Sequence, residues 1–338
     1  MDWNETLSNA RGNMGFCKVC PVCDGRVCKN TLPRPGAKGR GDVAMRNYAA
    51  WQEIRVNLDT LHANVPVSTE ATLFDQTFRI PVLAGPVGAV KMHYGDKFTD
   101  TEYNDILVPG CAEAGIAAMV GDGVDPNVMQ AGTAAIARTN GMGVPTVKPW
   151  DIETVRAKMQ LAQDSGAFAI AMDVDAAGLP FLQNRQPPAG SKSVDELREI
   201  IDSTDVPFIV KGVMTPRAAL KAAEAGAAGI VVSNHGGRVL DGTPATAEVL
   251  PSIVREVGDE LTILVDGGIR TGLDVFRALA LGAHGVIIAR PFVTAVYGGG
   301  AEGVEALVAK LQAELADTMR MTGAATVADI DGSLVWNL

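Results

Sequence analysis

The sequence predicts one (β/α)8 TIM barrel, of the α/β class, preceded by an N-terminal extension. From residue 79 onward, apolar runs of five to seven residues alternate with amphipathic stretches of ten to sixteen, a pattern typical of β/α units around a parallel sheet. A length of 338 residues suits one barrel of about 250 residues with an added segment. We therefore expect an N-terminal arm with a cysteine cluster and a short helix at residues 1–78, and a barrel at residues 79–338.

The N-terminal arm is the least regular part of the chain. Residues 1–40 contain the cysteine cluster, and the proline- and glycine-rich run Pro33–Gly41 disfavours both helix and strand. Met45–Glu53 has apolar residues at near-helical spacing and is predicted to be a helix. An alternating apolar pattern then predicts an extended arm or a lid over the barrel floor; it consists of Val56, Leu58, Leu73, Phe74 and Phe78.

Eight apolar runs are predicted as the barrel strands, and cap residues such as Asp151, Thr215 and Thr271 open the helices between them. An open, doubly wound sheet is the alternative, but the turn at Ala84–Gly88 lacks the GxGxxG pattern that such sheets carry after their first strand. The predicted strands are Ile80–Val87, Ala117–Asp122, Gly143–Val147, Ala169–Asp175, Pro207–Gly212, Gly229–His235, Thr262–Gly268 and Gly285–Arg290.

Composition excludes several classes of function. A net charge of −10 argues against general binding to nucleic acid or anionic membranes. No run approaches the roughly 20 apolar residues of a membrane span. Asp2, Glu5 and Arg11 occupy the place of a secretory apolar core, so we expect a cytoplasmic protein. In that compartment the five cysteines are expected to be thiols or metal ligands rather than disulfides.

Four consecutive predicted strands end in polar side chains, namely Lys211, His235, Asp266 and Arg290. Parallel neighbours in one barrel bring such side chains together at the carboxyl-terminal rim, where barrels place their chemistry. A buried lysine is costly without an anion or polar ligand, so Lys211 is predicted to contact a cofactor rather than to extend to solvent. His235, next to Asn234 and two glycines, is predicted to act as an acid or base rather than as a core histidine.

Two turns predict a phosphate site. Asp266–Gly272 follows the seventh predicted strand and Ala289–Pro291 follows the eighth. Glycine backbone NH groups, a helix start and the guanidinium groups of Arg270 and Arg290 together suit a phosphate, and barrels commonly bind one after strands seven and eight. The alternative is a pair of ordinary tight turns.

The motifs VKG, SNHGGR, DGGIRTG and ARP, in this order, resemble the FMN-dependent 2-hydroxy-acid oxidases and dehydrogenases, the glycolate oxidase and lactate oxidase group. The resemblance extends from about Asn47 to Ile330. It implies FMN as cofactor, a small anionic substrate and a homotetramer or larger assembly.

The resemblance also implies roles for individual residues. Lys211 is expected to lie against flavin N1 and O2, and Arg238 to pair with a substrate carboxylate. His235 is the expected base and Asp175 orients it; whether a hydride or a carbanion's electrons reach flavin N5 stays open. The remaining flavin contacts implied are Pro86, Val87, Gly88, Ser233, Gly236, Asp266, Gly267, Gly268, Arg270, Ala289 and Arg290.

The chain departs from the family at the substrate. Asp173–Gly178 stands where the family has roughly T-V-D-T-P-R, so Asp173 replaces a flavin-side threonine and the second carboxylate-binding arginine is missing. Pro145–Val147 replaces Q-L-Y, so a glutamine and a substrate tyrosine are also missing. Lys148, one residue further on, is our hypothesis for the replacement cation; the alternative is an exposed loop lysine.

The cysteine cluster is foreign to this family. Cys17-x2-Cys20-x2-Cys23-x4-Cys28 resembles the start of a ferredoxin-type iron–sulfur run, although its fourth cysteine is one residue late, and its Cys20–Gly25 part resembles one knuckle of a zinc site. Free thiols or a redox disulfide are the third interpretation. Cys111 lies in a predicted helix and is expected to be a small buried residue.

The function predicted from the sequence is FMN-dependent oxidation of a small 2-hydroxy acid, or a related anionic substrate, to the 2-oxo acid. The missing clamp residues keep a different reaction on the same barrel open, namely a non-redox isomerase of the FMN-dependent isopentenyl diphosphate isomerase type. A flavin-binding electron-transfer module is the remaining alternative.

Overall fold

The computed structural model describes residues 1–34, 36–182, 185–186 and 189–336. A small antiparallel hairpin precedes a closed barrel of eight parallel strands. The hairpin strands are β1 (Ala71–Leu73) and β2 (Gln76–Phe78), and the barrel strands are β3 (Val82–Ala84), β4 (Ala117–Val120), β5 (Gly143–Val147), β6 (Ile170–Asp173), β7 (Phe208–Val213), β8 (Gly229–Val232), β9 (Thr262–Asp266) and β10 (Gly285–Ile288).

Helices separate the strands and cover the barrel. The cap residues expected from the sequence open three of them: the side chains of Asp151, Thr215 and Thr271 each accept a hydrogen bond from a backbone NH in the first turn. The helices are α1 (Trp3–Ala10), α2 (Val43–Glu53), α3 (Val90–Tyr94), α4 (Asp100–Glu113), α5 (Pro126–Arg138), α6 (Ile152–Asp164), α7 (Val194–Ile201), α8 (Pro216–Glu224), α9 (Thr246–Val257), α10 (Gly272–Ala280) and α11 (Arg290–Arg320).

The strand order confirms the predicted barrel. Each strand pairs in parallel with the next in sequence, and β10 pairs with β3 through Val286 and Val82, which closes the ring. Closure brings the carboxyl ends of all eight strands to one rim, as the sequence predicted.

Six of the eight predicted barrel strands are too long at their carboxyl ends, whereas the third ends at Val147 as predicted and the fifth ends one residue later than predicted, at Val213. The sixth was expected to end at His235, but β8 ends at Val232, and the fourth was expected to reach Asp175, but β6 ends at Asp173. In both places the chain leaves the sheet for a short 3-10 turn that carries the polar residues. Apolar sequence alone does not reveal where backbone pairing stops.

The hairpin closes the amino-terminal end of the barrel. Its turn residues Phe74 and Asp75 have positive φ angles of 50° and 60°, as tight hairpin turns require. A Cβ atom on Gly229 would lie 2.9 Å from Phe74 Cζ, so the Phe74 ring fills the space that this glycine leaves. Leu73 and Phe78 join the inner barrel core. Of the five residues expected in an arm or a lid at the barrel floor, Leu73, Phe74 and Phe78 belong to this hairpin, whereas Val56 and Leu58 lie outside it.

The extension packs against the barrel at other points too. Leu7 and Ala10 of α1 are buried, and α1 lies against α11. Helix α2 begins at Val43, two residues before the prediction, and contacts the turn after β8. Cys111 in α4 is fully buried, as expected. Within the described ranges, no helix combines the length and apolar character that crossing a bilayer requires.

Candidate active site

A cavity of about 330 Å³ lies at the carboxyl-terminal rim, within the size range of small-molecule sites. It brings together residues that the sequence singled out on six different strand ends. Ser233 and Asp175 are not lining residues themselves, but their side chains contact residues that line the cavity. The predicted residues that line it are Pro86, Val87, Gly88, Lys148, Lys211, His235, Gly236, Arg238, Asp266, Gly267, Gly268, Arg270, Ala289 and Arg290.

The His235 imidazole is held by a carboxylate. Its Nδ1 lies 3.1 Å from Asp175 Oδ1, which leaves Nε2 as the nitrogen that can take up a proton. The backbone of His235 has φ +54°, and its NH donates to Ser233 Oγ at 3.2 Å. Burial, together with Lys211 and Arg238, lowers the pKa of His235 to about 3, although Asp173 opposes this. The imidazole is therefore neutral at pH 7, as a base must be.

Lys211 lies inside β7 next to a bulge, because the register with β8 shifts between Lys211 and Val213. Its Nζ lies 3.1 Å from Ser233 Oγ, 3.4 Å from Asp173 Oδ1 and 3.5 Å from Asp266 Oδ2. Burial favours the neutral amine, but the two carboxylates outweigh it and raise the pKa of Lys211. The ammonium is thus a fixed positive charge in the cavity.

Asp173 links the charged groups. Its carboxylate lies 3.5 Å from Lys148 Nζ, 3.4 Å from Lys211 Nζ and 3.5 Å from His235 Nδ1. Burial is outweighed by these neighbours, above all Lys211, and the pKa of Asp173 is held well below its usual range. Burial and the negative charge of Asp173 raise the pKa of Asp175 well above its usual range. Asp175 Oδ2 is buried with no hydrogen-bond partner.

Arg238 presents an unsatisfied guanidinium to the same cavity. Its Nη2 donates to the Arg34 carbonyl at 3.2 Å, but its buried Nε has no hydrogen-bond partner. Burial lowers the pKa of Arg238. An unpaired buried donor on a cation is costly unless an anion meets it. This side chain therefore suits a carboxylate ligand.

The predicted phosphate end is built around glycine and arginine. Gly267 and Gly268 have φ angles of +89° and +86°, and a Cβ on Gly268 would lie 2.5 Å from the Asn47 backbone, so only glycine fits here. Arg270 and Arg290 flank this turn at the cavity wall. Two guanidinium groups beside a glycine turn are what a phosphate monoester requires, so the residues present fit FMN.

Asp122 is a site residue that the sequence analysis missed. Its fully buried carboxylate accepts hydrogen bonds from Lys148 N at 3.1 Å, Trp150 Nε1 at 2.6 Å and Lys158 Nζ at 2.6 Å. It thereby fixes the loop after β5 and the position of Lys148. The only signal was an aspartate at the end of a predicted strand.

Helix α3 supplies two further residues that the sequence did not identify, His93 and Tyr94. Both line the cavity, and His93 is only 6% exposed. His93 Nδ1 is buried with no hydrogen-bond partner. Burial, reinforced by Arg238 and Lys148, lowers the pKa of His93 to about 4. Burial raises the pKa of Tyr94, so its phenol stays protonated. A neutral imidazole and a phenol therefore face the cavity.

The cysteine segment lies against the phosphate end. The Arg270 Nε donates to the Cys23 carbonyl at 2.8 Å. Burial raises the pKa of a thiol, but Arg290 and Arg270 together lower the pKa of Cys23. Burial raises the pKa of Cys17, and the other three thiols of the cluster add to this rise. All five cysteines are free.

A closed barrel with a basic phosphate end, a buried lysine and a carboxylate-paired histidine at one rim defines a flavin-nucleotide oxidoreductase site. The sequence pattern of the family described as FMN-dependent dehydrogenase matches residues 34–189 and 181–337. The chain belongs to this FMN-dependent dehydrogenase family, and FMN is its cofactor.

Curated relatives agree with this assignment. An L-lactate dehydrogenase of Caulobacter sp. is 47% identical over 152 residues, which cover 45% of this chain and 39% of that protein. A peroxisomal (S)-2-hydroxyacid oxidase of Arabidopsis thaliana is 35% identical over 257 residues, covering 76% of this chain and 66% of the relative. The matched region thus spans about two fifths of the first relative's length and just under two thirds of the second.

Solved structures have the same fold. A mandelate oxidase variant with 2-hydroxy-phenylacetamide superposes with a TM-score of 0.78 at 26% identity, over 97% of this chain and 96% of that one. A flavocytochrome b2 variant with pyruvate bound also gives 0.78, at 24% identity over 93% of this chain and 82% of the other, which shows the shared fold.

Proposed function

We propose that this protein is an FMN-dependent oxidoreductase that oxidises a small 2-hydroxy acid to the 2-oxo acid. The observation that carries the proposal is the placement of two groups in one cavity: His235, paired with Asp175 at 3.1 Å, and Arg238, whose buried Nε lacks a partner. A base and a carboxylate-binding cation are what this substrate class needs at adjacent positions. Family membership supports the same reaction.

The proton is handled by His235. Its neutral Nε2 takes the proton from the substrate, and the imidazolium that forms is stabilised by the neighbouring carboxyl groups of Asp175 and Asp173. FMN, when bound, supplies the acceptor for the two electrons of the substrate C–H bond. Lys211 lines the cavity, and its positive charge would favour the reduced form of the bound FMN.

The substrate carboxylate is held by fewer arginines than the family pattern provides. Arg238 contributes one guanidinium, and Lys148 replaces the missing second cation in our proposal. Asp173 neutralises part of the Lys148 charge at 3.5 Å, so Lys148 is a weaker anchor than an unpaired arginine. The unpaired Nδ1 of His93 offers the substrate a further hydrogen-bonding contact beside Lys148. This combination suits a small anion with an additional acceptor group.

Anaerobic mixing of the FMN-loaded protein with a panel of 2-hydroxy acids tests the proposal. We expect at least one member to bleach the flavin absorbance, with release of the matching 2-oxo acid. His235→Gln should retain the flavin and lose the bleaching. Flavin that is bound but reduced by no 2-hydroxy acid would contradict the proposal and favour an electron-transfer module.

The isomerase alternative has less support. The matches to proteins named 2-hydroxyacid oxidase and L-lactate dehydrogenase do not favour it. The His235–Asp175 pair next to Arg238 also suits a hydroxy acid better than a diphosphate. Incubation of the FMN-loaded protein with isopentenyl diphosphate under reducing conditions separates the two, because an isomerase would form the isomer with no net change in the redox state of the flavin.

We also propose a cytoplasmic location and a homotetramer or larger assembly. Five unpaired cysteines support a reducing compartment. Exposed apolar side chains, with Leu61 at 97% and Leu58 at 72% exposure, provide surface suited to contacts between copies of the chain. Light scattering after size-exclusion chromatography measures the assembly, and a monomer of 35.3 kDa would contradict it.

A further inference from the structure

The proposed function makes no use of the cysteine loop, residues 17–28, which carries four of the five cysteines. Their order is Cys-x2-Cys-x2-Cys-x4-Cys. The match to the FMN-dependent dehydrogenase family begins only at residue 34, so this loop lies outside the conserved pattern that defines the family. A separate explanation for the loop is therefore needed.

The loop is attached to the flavin site. It connects α1 to α2, and its Cys23 carbonyl accepts a hydrogen bond of 2.8 Å from Arg270 of the phosphate end. Further along the chain, the Lys38 NH donates to the Gly237 carbonyl, next to the turn of His235, at 2.9 Å. Both attachments hold the segment on the carboxyl-terminal face of the barrel rather than free in solvent.

The backbone of the cysteine loop is shaped by unusual conformations. Val19, between the first two cysteines, has φ +46°, which is rare for a β-branched residue. Lys29 and Asn30, directly after the fourth cysteine, have φ +51° and +53°. Strain of this kind persists where the surrounding structure fixes it, often at a functional site. The loop thus has a defined shape rather than an arbitrary one.

Charge around the loop suits a negatively charged metal–thiolate group. The Arg270 guanidinium reaches the loop through its 2.8 Å hydrogen bond to the Cys23 carbonyl, and Arg290 lies on the same cavity wall. Several thiolates held together need such compensating cations, because thiolates are the ligand form that binds metals. All four cysteines of the loop are only partly buried, so metal can enter from solvent.

The spacing of the thiols discriminates between metals. A single tetrahedral zinc ion, with Zn–S bonds of about 2.3 Å, needs sulfur atoms roughly 3.8 Å apart. In the described part of the chain, the one set of three possible ligands within 4.8 Å is Asp173, Asp175 and His235, so no three of the thiols are arranged around a single zinc ion. A four-iron cluster binds each thiolate to a different iron and spaces the sulfur atoms more widely.

We propose that Cys17, Cys20, Cys23 and Cys28 bind a four-iron, four-sulfide cluster beside the phosphate end of the flavin site. The site depends on the residues of the loop and does not depend on which substrate the enzyme oxidises. Asp173, Asp175 and His235 are not a competing metal site, because the Lys148 and Lys211 ammonium groups already pair with the Asp173 carboxylate at 3.5 and 3.4 Å.

Anaerobic purification of the full chain with FMN bound tests the cluster. We expect about four iron and four sulfide per chain, broad visible absorbance in addition to the flavin bands, and an electron paramagnetic resonance signal after dithionite reduction. Cys20→Ser and Cys23→Ser should each lower the iron content several-fold. Cys111→Ala, which removes the buried cysteine of α4, is the matched control and should retain the iron.

Flavin content, measured in the same samples, separates cluster loss from unfolding. A Cys20→Ser protein with full FMN and little iron supports the proposal. One zinc per chain without sulfide, or four thiols that titrate as free or disulfide-bonded in metal-free protein, would overturn it. Unchanged iron in the Cys20→Ser and Cys23→Ser proteins would overturn it equally.

In this position the cluster serves as a one-electron outlet. FMN reduced by two electrons is reoxidised in two single-electron steps, its protons pass to solvent, and a soluble one-electron carrier protein accepts each electron from the cluster. This role rests on the proposed function. A 2-hydroxy acid added anaerobically should then produce both flavin bleaching and the cluster signal. Flavin bleaching without the cluster signal would contradict electron transfer through the cluster. Absence of bleaching would contradict the proposed reaction, but it would not affect the test of the cluster by iron content.

Discussion

Asn47 of α2 and Asn234 of the loop after β8 exchange two side-chain hydrogen bonds, each 2.8 Å long. The Asn47 Oδ1 also accepts from the Thr246 NH at 3.2 Å. Both asparagines are buried, with Asn47 fully so. The N-terminal extension therefore holds the residue that precedes His235, and the position of the His235 turn depends on a helix outside the barrel.

Replacing Asn47 tests this coupling. Asn47→Ala removes both hydrogen bonds between Asn47 and the Asn234 amide and leaves the Thr246 NH without its acceptor, and we expect a loss of about 2 kcal/mol in the free energy of unfolding. The rate of flavin bleaching should fall as well, because Asn234 no longer fixes the His235 turn. Urea denaturation and stopped-flow absorbance measure the two effects. Asn9→Ala, at an exposed position, is the control; equal stability of the two variants would contradict the coupling.

Removing the base should affect the reaction and spare the fold. For His235→Gln we expect bleaching slower by about 10²- to 10⁴-fold, since general base catalysis contributes roughly this much. Asp175→Asn should show a smaller loss in the same direction, because the imidazole stays in place but loses its orienting carboxyl. FMN content of both variants, measured after heat release of the flavin, should equal that of the unmodified protein.

Lys148→Met tests the replacement cation. We expect the substrate KM to rise about five- to tenfold with little change in kcat, which corresponds to roughly 1 kcal/mol from a partly neutralised charge. The matched control is Lys221→Met, on the exposed face of α8. A KM that stays the same in Lys148→Met would show that Arg238 and His93 suffice to bind the substrate.

The phosphate end is tested through Arg290. For Arg290→Gln we expect FMN to bind about 10- to 100-fold more weakly, because a charge-assisted hydrogen bond contributes roughly 1.5–3 kcal/mol. Quenching of flavin fluorescence during titration of the apo-protein measures the affinity. The exposed Arg217→Gln on α8 controls for net charge, and an equal loss in that variant would indicate a general electrostatic effect instead.

The buried His93 should make stability depend on pH. Its pKa of about 4 in the folded protein lies below the ordinary 6.5, so below pH 6.5 the unfolded chain takes up a proton that the folded chain does not. Stability therefore falls as pH decreases towards 4. His93→Gln should remove about 2–3 kcal/mol of the loss between pH 7 and 4.5, measured by urea denaturation. The exposed His62→Gln is the control, and parallel curves for both variants would reject the prediction.

Patterns along the chain were sufficient for the barrel and for fourteen of the residues that line the cavity. Lys211, His235, Asp266 and Arg290 were placed together because parallel strands in a closed ring bring consecutive strand ends to one rim. Strand ends were predicted less well, since β6 and β8 stop two and three residues early to form turns. Hydrophobicity continues through such turns, whereas backbone pairing does not.

The remainder of the site depends on contacts between residues distant in sequence. Asp173 appeared in the sequence only as a substitution for threonine, yet in the fold it links Lys148, Lys211 and His235. His93 carried no sequence signal, because a histidine on a five-residue helix can face in any direction until that helix packs over the rim.

The sequence by itself determined the eightfold alternation, the order of the polar strand ends and the presence of four closely spaced cysteines, since these depend on local periodicity and spacing. Only the tertiary structure decided that Asp173 contacts Lys148, Lys211 and His235, that α2 holds the turn of His235 and that Cys23 lies against Arg270. Such contacts depend on which surfaces meet when the chain closes on itself, and residues separated by 247 positions meet only then.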